Sequence, residues 1–117
     1  MWLVDTSVWM EHFRQKTSDL TSLLLEGLVL THPFVSGELA CGNLKDRDEV
    51  LSDLNALPLV EVATDAEAFR LIEDRKLWGR GLGWVDIHLL ASALLSRCKL
   101  WSADKRLQRV ADELGLS

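Results

Sequence analysis

Long apolar runs, abundant cysteine, proline and a surplus of basic charge are all missing from this sequence. No stretch approaches the ~18 consecutive apolar residues that a membrane-spanning helix needs, so no membrane-embedded helix is expected. Only 2 cysteines and 2 prolines occur among 117 residues, which excludes a disulfide scaffold and a proline-rich linker. Cys41 and Cys98 make no C-x-x-C pair and have no histidines at zinc-finger spacing. Both lie among apolar residues and are expected on helices as buried, reduced thiols. Lys and Arg number 13 against 18 Asp and Glu, for a formal net charge of −5. That balance argues against a plain nucleic-acid binding module, whose usual footprint is basic. It argues less against a metal-dependent enzyme, because bound cations reverse the local field around acidic residues. The first four residues run straight into Asp5 without the pattern of a signal peptide, and a cytoplasmic location is the expectation.

What the chain does have is the make-up of an ordinary globular protein, with 48% hydrophobic and 26% charged residues. Residues 1–117 are expected to form one domain. Strand and helix signals alternate throughout. Trp2-Leu3-Val4, Leu28-Val29-Leu30, Leu59-Val60-Glu61-Val62 and Lys99-Leu100-Trp101-Ser102 read as short buried strands. Between them lie helices from about Ser7 to Phe13, through Leu20, Leu23 and Leu24 after a cap at Thr17 or Ser18, and from Pro33 to near Gly42. Others run through Val50 to Leu57 behind a capping pair of Asp46 and Glu49, and from the capping box Thr64-Asp65-Ala66-Glu67 to about Leu77. The last two run through Ile87, Leu90, Ala91 and Leu94, and through Leu107, Val110, Ala111 and Leu114. Alternation of this kind requires right-handed crossovers and predicts a three-layer α/β/α sandwich around a central, mainly parallel sheet.

Ligands of such sheets bind beyond the carboxyl ends of the strands, and four acids gather there on paper. Asp5 follows the first strand and Asp104 the last. Asp86 stands in the first turn of the helix after the glycine loop at Gly79, Gly81 and Gly83. Glu38 is on the helix after the second strand. Each has a plainer role open to it: Asp5, Asp86 and Asp104 suit helix N-termini, and Glu38 suits a solvated helix face. Yet Asp5 and Glu38 both interrupt apolar stretches, where an unpartnered carboxylate is costly. Two unit charges about 5 Å apart repel by roughly 3 kcal/mol at an effective dielectric of 20. A hard divalent cation relieves that repulsion, and magnesium or manganese suits oxygen ligands. With no Ser-His-Asp or Cys-His arrangement in view, the residues point to metal-assisted phosphodiester hydrolysis.

Four segments, Leu3 to Trp9, Gly37 to Gly42, Gly81 to Asp86 and Leu100 to Leu107, resemble the PIN-domain nucleases in order and spacing. The likeness is closest to the VapC toxins of bacterial toxin–antitoxin pairs and covers nearly the whole chain. It implies that Asp5, Glu38, Asp86 and Asp104 surround one or two magnesium or manganese ions. It implies endonucleolytic cleavage of RNA, often transfer or ribosomal RNA, and frequent homodimers. It further implies a VapB-type antitoxin that wraps the toxin and can block its site, sometimes with an arginine. Thr6 and Ser102 match hydroxyl positions that support the acids. The last edge strand of some relatives is expected to be short or missing after Leu116-Ser117.

Two other readings compete. A haloacid-dehalogenase-like phosphatase also carries an Asp after its first strand, but wants a second Asp where Ser7 stands. An inactive PIN-like binding module would not need all four acids. His12, His32 and His88 are not expected as metal ligands; His88 diverges from Asp86 because a helix turns about 200° over two residues. Arg14, Arg80, Lys105 and Arg106 are candidates for RNA phosphate contacts. The glycine loop lacks a Walker lysine and is read as a tight turn before Asp86. The five tryptophans are expected mostly in the core, with Trp9 an alternative contact for a partner.

Overall fold

The central strand β1 (Trp2–Val4) is flanked by β2 (Val29–Leu30) on one side and β3 (Lys99–Trp101) on the other, all parallel. Leu3 pairs with Leu30 and with Leu100, and Val4 with Trp101. Leu3 and Val4 point to opposite faces of the sheet, and both are completely buried. Helices therefore cover both faces, as the uninterrupted apolar run of β1 implies. The computed structural model describes residues 1–15 and 18–117, with Ser18 described by its backbone alone.

The helices in chain order are α1 (Thr6–Gln15), α2 (Ser18–Leu25), α3 (Pro33–Ala40), α4 (Arg47–Ala56), α5 (Asp65–Arg75), α6 (Trp84–Ser96) and α7 (Lys105–Glu113). The expected cap at Thr17 or Ser18 lies outside the described residues. Helix α2 ends at Gly27, whose φ of +70° allows Leu28 N–H to reach back to Leu23 C=O at 3.0 Å, a C-terminal turn for which glycine is the natural residue. Seven successive residues of α6, from Ile87 to Ala93, are buried, so this helix is the spine of the core rather than a one-sided surface helix. The capping box at Thr64 forms as expected, with both reciprocal bonds to Glu67 in place.

The sheet is smaller than the sequence suggested. Leu59 to Val62 is no full strand; it adds only an isolated parallel bridge between Leu59 and Thr31. The reason lies in where its amides go. Glu61 N–H donates to Ser96 Oγ at 2.8 Å and Ala63 N–H to Ser92 Oγ at 3.0 Å. Two serines one turn apart on α6 thus take the hydrogen bonds that a neighbouring strand would have made. The outer edge of β3 gains no fourth strand among the described residues; Leu100 N–H instead bonds Leu116 C=O at 2.7 Å.

Several local expectations change. Asp46 precedes α4 but sits at φ +53° and makes no side-chain capping bond. Neither cysteine lies within a helix: Cys41 is exposed at the end of α3, and Cys98 is buried just ahead of β3. Of the tryptophans only Trp9 is buried in the core. Trp2 and Trp101 are half-buried, while Trp78 and Trp84 are 61% and 39% exposed. Trp78 follows the left-handed turn that ends α5, and Trp84 opens α6 on its outer side.

Candidate active site

Because β1 and β3 run parallel and adjacent, the residues that leave their carboxyl ends emerge together. Asp5 N–H continues the ladder to Trp101 C=O at 2.9 Å, which fixes Asp5 beside the loop from Ser102 to Asp104. Asp5 is buried, and its carboxylate is held on both oxygens. Oδ1 accepts from Thr6 N–H at 2.8 Å, and Oδ2 accepts from Ser7 Oγ and Ser102 Oγ, each at 2.8 Å. The two serine oxygens lie 3.3 Å apart. Each hydroxyl has a single hydrogen and each directs it at Asp5, so their proximity is convergence on one acceptor.

The same serines organise the following loop. Ser102 Oγ accepts from Asp104 N–H at 3.0 Å, and Ser7 Oγ accepts from Ala103 N–H at 2.9 Å. Asp104 then caps α7, its Oδ1 accepting from Arg106 N–H at 2.9 Å and Leu107 N–H at 3.4 Å. Asp86 occupies the first turn of α6 and accepts from Gly83 N–H through Oδ2 at 2.9 Å. Glu38 accepts from Thr6 Oγ1 at 2.8 Å. The plain capping roles foreseen for Asp86 and Asp104 are therefore real, and they orient both side chains. Glu38 is exposed, on the solvated helix face the sequence left open to it: Val35 and Leu39, one turn apart, take the inner face of α3 and leave Glu38 outside.

The four acids share one electrostatic neighbourhood. Burial, the largest influence, pushes the Asp86 carboxyl above its ordinary pKa, against the pull of the Gly83 hydrogen bond; the charges of Asp5, Asp104 and Glu38 raise it further. Among the described residues no three acidic, histidine or cysteine side chains are spaced to hold a metal ion directly. The donor set still fits a hard divalent cation by its chemistry. All the donors are carboxylate oxygens, and Asp86 Oδ1, Asp104 Oδ2 and Glu38 Oε2 accept no hydrogen bond from the described residues. Magnesium keeps several of its own waters, which suits carboxylates spaced more widely than direct three-point ligation demands.

The remaining candidates separate clearly. His88 is buried between the rings of Phe34 and Trp84, at centroid distances of 5.0 and 4.6 Å. Its Nε2 lies 3.0 Å from Asp65 Oδ1. His32 caps α3 through Nδ1, which accepts from Phe34 N–H at 2.9 Å. Burial, aided by the charge of His88, lowers its pKa to about 4. Arg80 makes a two-pronged ion pair with Glu113, at 2.7 and 2.9 Å. Arg106 lies across Gly81, where a Cβ would come within 2.7 Å of its side chain. Arg14 lines an open groove of about 1040 Å³ between α1 and α4 that ends at Ser7 and Asp104. Lys105 is exposed at the start of α7.

Sequence reasoning missed two residues. Ser7 looked only like one of three cap-favouring residues, although its position two after Asp5 was a usable signal. Gln108 gave no chemical signal at all; its side chain binds the backbone of β3 and the loop after it.

The chain matches the family model described as PIN domain over residues 2–113. It is 48% identical to Ribonuclease VapC32 from two strains of Mycobacterium tuberculosis over 118 aligned positions, covering 100% of this chain and 95% of the relative.

Proposed function

The chain belongs to the PIN-domain family, among relatives of the VapC ribonucleases, and from that premise we propose that it is a magnesium- or manganese-dependent endoribonuclease, the toxin of a type II toxin–antitoxin pair. The observation that supports this reading is geometric: beyond adjacent parallel strands Ser102 Oγ bonds both Asp5 and Asp104 N–H, and Thr6, next to Asp5, bonds Glu38; Asp86 lies within electrostatic reach of all three. On this reading residues 1–117 act as one nuclease domain in the cytoplasm.

In the proposed mechanism Asp5, Glu38, Asp86 and Asp104 would hold the cation together, partly through waters that it keeps. When bound, the ion supplies a polarised water and stabilises charge on the phosphoryl oxygens. The protein's own part is orientation. Ser7 and Ser102 fix Oδ2 of Asp5, Thr6 fixes Oε1 of Glu38, and Gly83 N–H fixes Oδ2 of Asp86. The capping bonds at Asp104 leave Oδ2 for the site. A phosphatase of the haloacid-dehalogenase kind would need an acid at position 7; Ser7 instead holds Asp5 and Ala103.

The substrate is RNA, with transfer or ribosomal RNA as the leading classes. A VapB-type antitoxin is the proposed partner. The groove between α1 and α4 has Met10, Phe13 and Leu44 among its lining and opens onto Asp104. It suits an antitoxin segment that buries apolar side chains and carries an arginine to the acids. Homodimerisation is proposed through the exposed rings of Phe34, Phe69 and Trp84 on α3, α5 and α6, which make a continuous apolar face with His88 beneath.

The test is incubation of the purified protein with total cellular RNA, with magnesium or with excess chelator, followed by mapping of the cut ends. Discrete magnesium-dependent cuts that disappear in Asp5→Asn are expected. Cutting that survives the chelator, or full activity in Asp5→Asn, would overturn the proposal.

A further inference from the structure

Strand β3 turns Lys99 N–H and Trp101 C=O toward β1, so Leu100 and Ser102 direct their backbone groups to the outer edge. Leu100 N–H finds Leu116 C=O. Leu100 C=O and Ser102 N–H are both met by one side chain. Gln108 Oε1 accepts from Ser102 N–H at 2.8 Å, and Gln108 Nε2 donates to Leu100 C=O at 3.3 Å. A carboxamide offers the same acceptor and donor as a peptide group, so Gln108 acts as one peptide unit of the strand that is missing there. Its second Nε2 hydrogen goes to Asp112 Oδ1 at 3.1 Å, one turn further along α7. The side chain is thereby held at both ends.

What hangs on Ser102 gives this contact its interest. Its hydroxyl donates to Asp5 and accepts from Asp104 N–H, so the position of one backbone unit sets two of the four acids. Ser7 pins the loop from the inner side through Ala103 N–H, and Gln108 pins it from the outer side. We infer that Gln108 is a positioning residue for the metal-holding acids, acting through Ser102 on Asp5 and Asp104. The inference rests on the proposed role of those acids.

Gln108→Leu keeps much of the side-chain volume and removes both bonds to β3. The paired change Gln108→Glu with Asp112→Asn keeps an acceptor for Ser102 N–H and a bond along α7, and replaces the donation to Leu100 C=O by an unfavourable oxygen–oxygen contact. Manganese binding to the full chain, followed by electron paramagnetic resonance without RNA, separates them. Loss of an outer partner of metal ligands typically weakens binding ~10-fold or more. Gln108→Leu is expected to weaken manganese binding by about that factor and to lower kcat more than it raises KM. The paired variant is expected to bind manganese as the wild type does, even with a lower melting temperature. Circular dichroism establishes that each variant is folded.

Unchanged manganese affinity in folded Gln108→Leu would overturn the inference. So would a ~10-fold weakening in the paired variant, a result that decides the matter even if Gln108→Leu does not fold. Wild-type protein that binds manganese but cuts no RNA would overturn the nuclease reading, while the manganese series still decides the role of Gln108. Wild-type protein that binds no manganese would overturn both.

Discussion

Two hydroxyl hydrogens converge on one oxygen of Asp5, and this makes that position intolerant of an amide. In Asp5→Asn either orientation of the side chain sets an NH2 group against Thr6 N–H or against the serine donors. The variant is expected to lose metal-dependent cleavage and about 1–3 kcal/mol of stability, the cost of leaving buried donors unmatched; urea unfolding measures the second effect. Asp86→Asn should behave oppositely in stability. Its amide oxygen still accepts from Gly83 N–H, while a partly desolvated charge facing three others is removed. The melting temperature of the metal-free protein is expected to rise, and its further rise on adding magnesium to vanish. A lower melting temperature in the metal-free variant would contradict the electrostatic account. His32 supplies the pH dependence. Its folded pKa of about 4 lies below the ordinary 6.5, so between those values the unfolded chain binds more protons. Stability is therefore present in full above pH 6.5 and falls as the pH drops toward 4, by at most roughly 3 kcal/mol. His32→Asn keeps a capping side chain, and denaturation across that range should show a flatter profile.

At the scale of elements, α6 holds more than its own residues. Ser92 and Ser96 capture two amides of the segment after Leu59, and Asp86 at the start of the same helix faces the other acids. Ser92→Ala orphans a buried N–H and is expected to cost about 1–3 kcal/mol. Ser96→Ala, in a more exposed setting, should cost less, and comparing the two urea midpoints checks the order. This arrangement explains which elements were legible in the sequence. Trp2 to Val4, the capping box at Thr64 and the stop at Gly27 declare themselves through local pattern. Leu59 to Val62 has a strand's composition, but its amides are satisfied by serines about 30 positions away, and no local pattern reports that. The acids were legible as positions relative to strands. Their supports were less so: the bonds that Ser7 makes to Asp5 and Ala103 arise only on folding, and Gln108 matters only because no strand covers the outer edge of β3.

For the whole molecule, the exposed rings on α3, α5 and α6 lead to a test of assembly. Phe69 and Trp84 stand 4.8 Å apart between centroids and are 60% and 39% exposed, an apolar face of the kind that marks interaction sites. Sedimentation of the wild type is expected to give a dimer, and Trp84→Ser a shift toward monomer. A wild type that stays monomeric at high concentration would rule out that interface. A different consequence follows from the borders of the sheet. On one flank the bridge between Thr31 and Leu59 covers β2, and on the other Leu116 and Gln108 engage β3. Those positions present no vacant rung to a passing extended peptide, so fibril-like stacking has no template there. With its rims stoppered in this way the sheet itself offers no seam for clumping while folded, and edge-to-edge stacking has to wait until α7 or the segment at Leu59 comes undone.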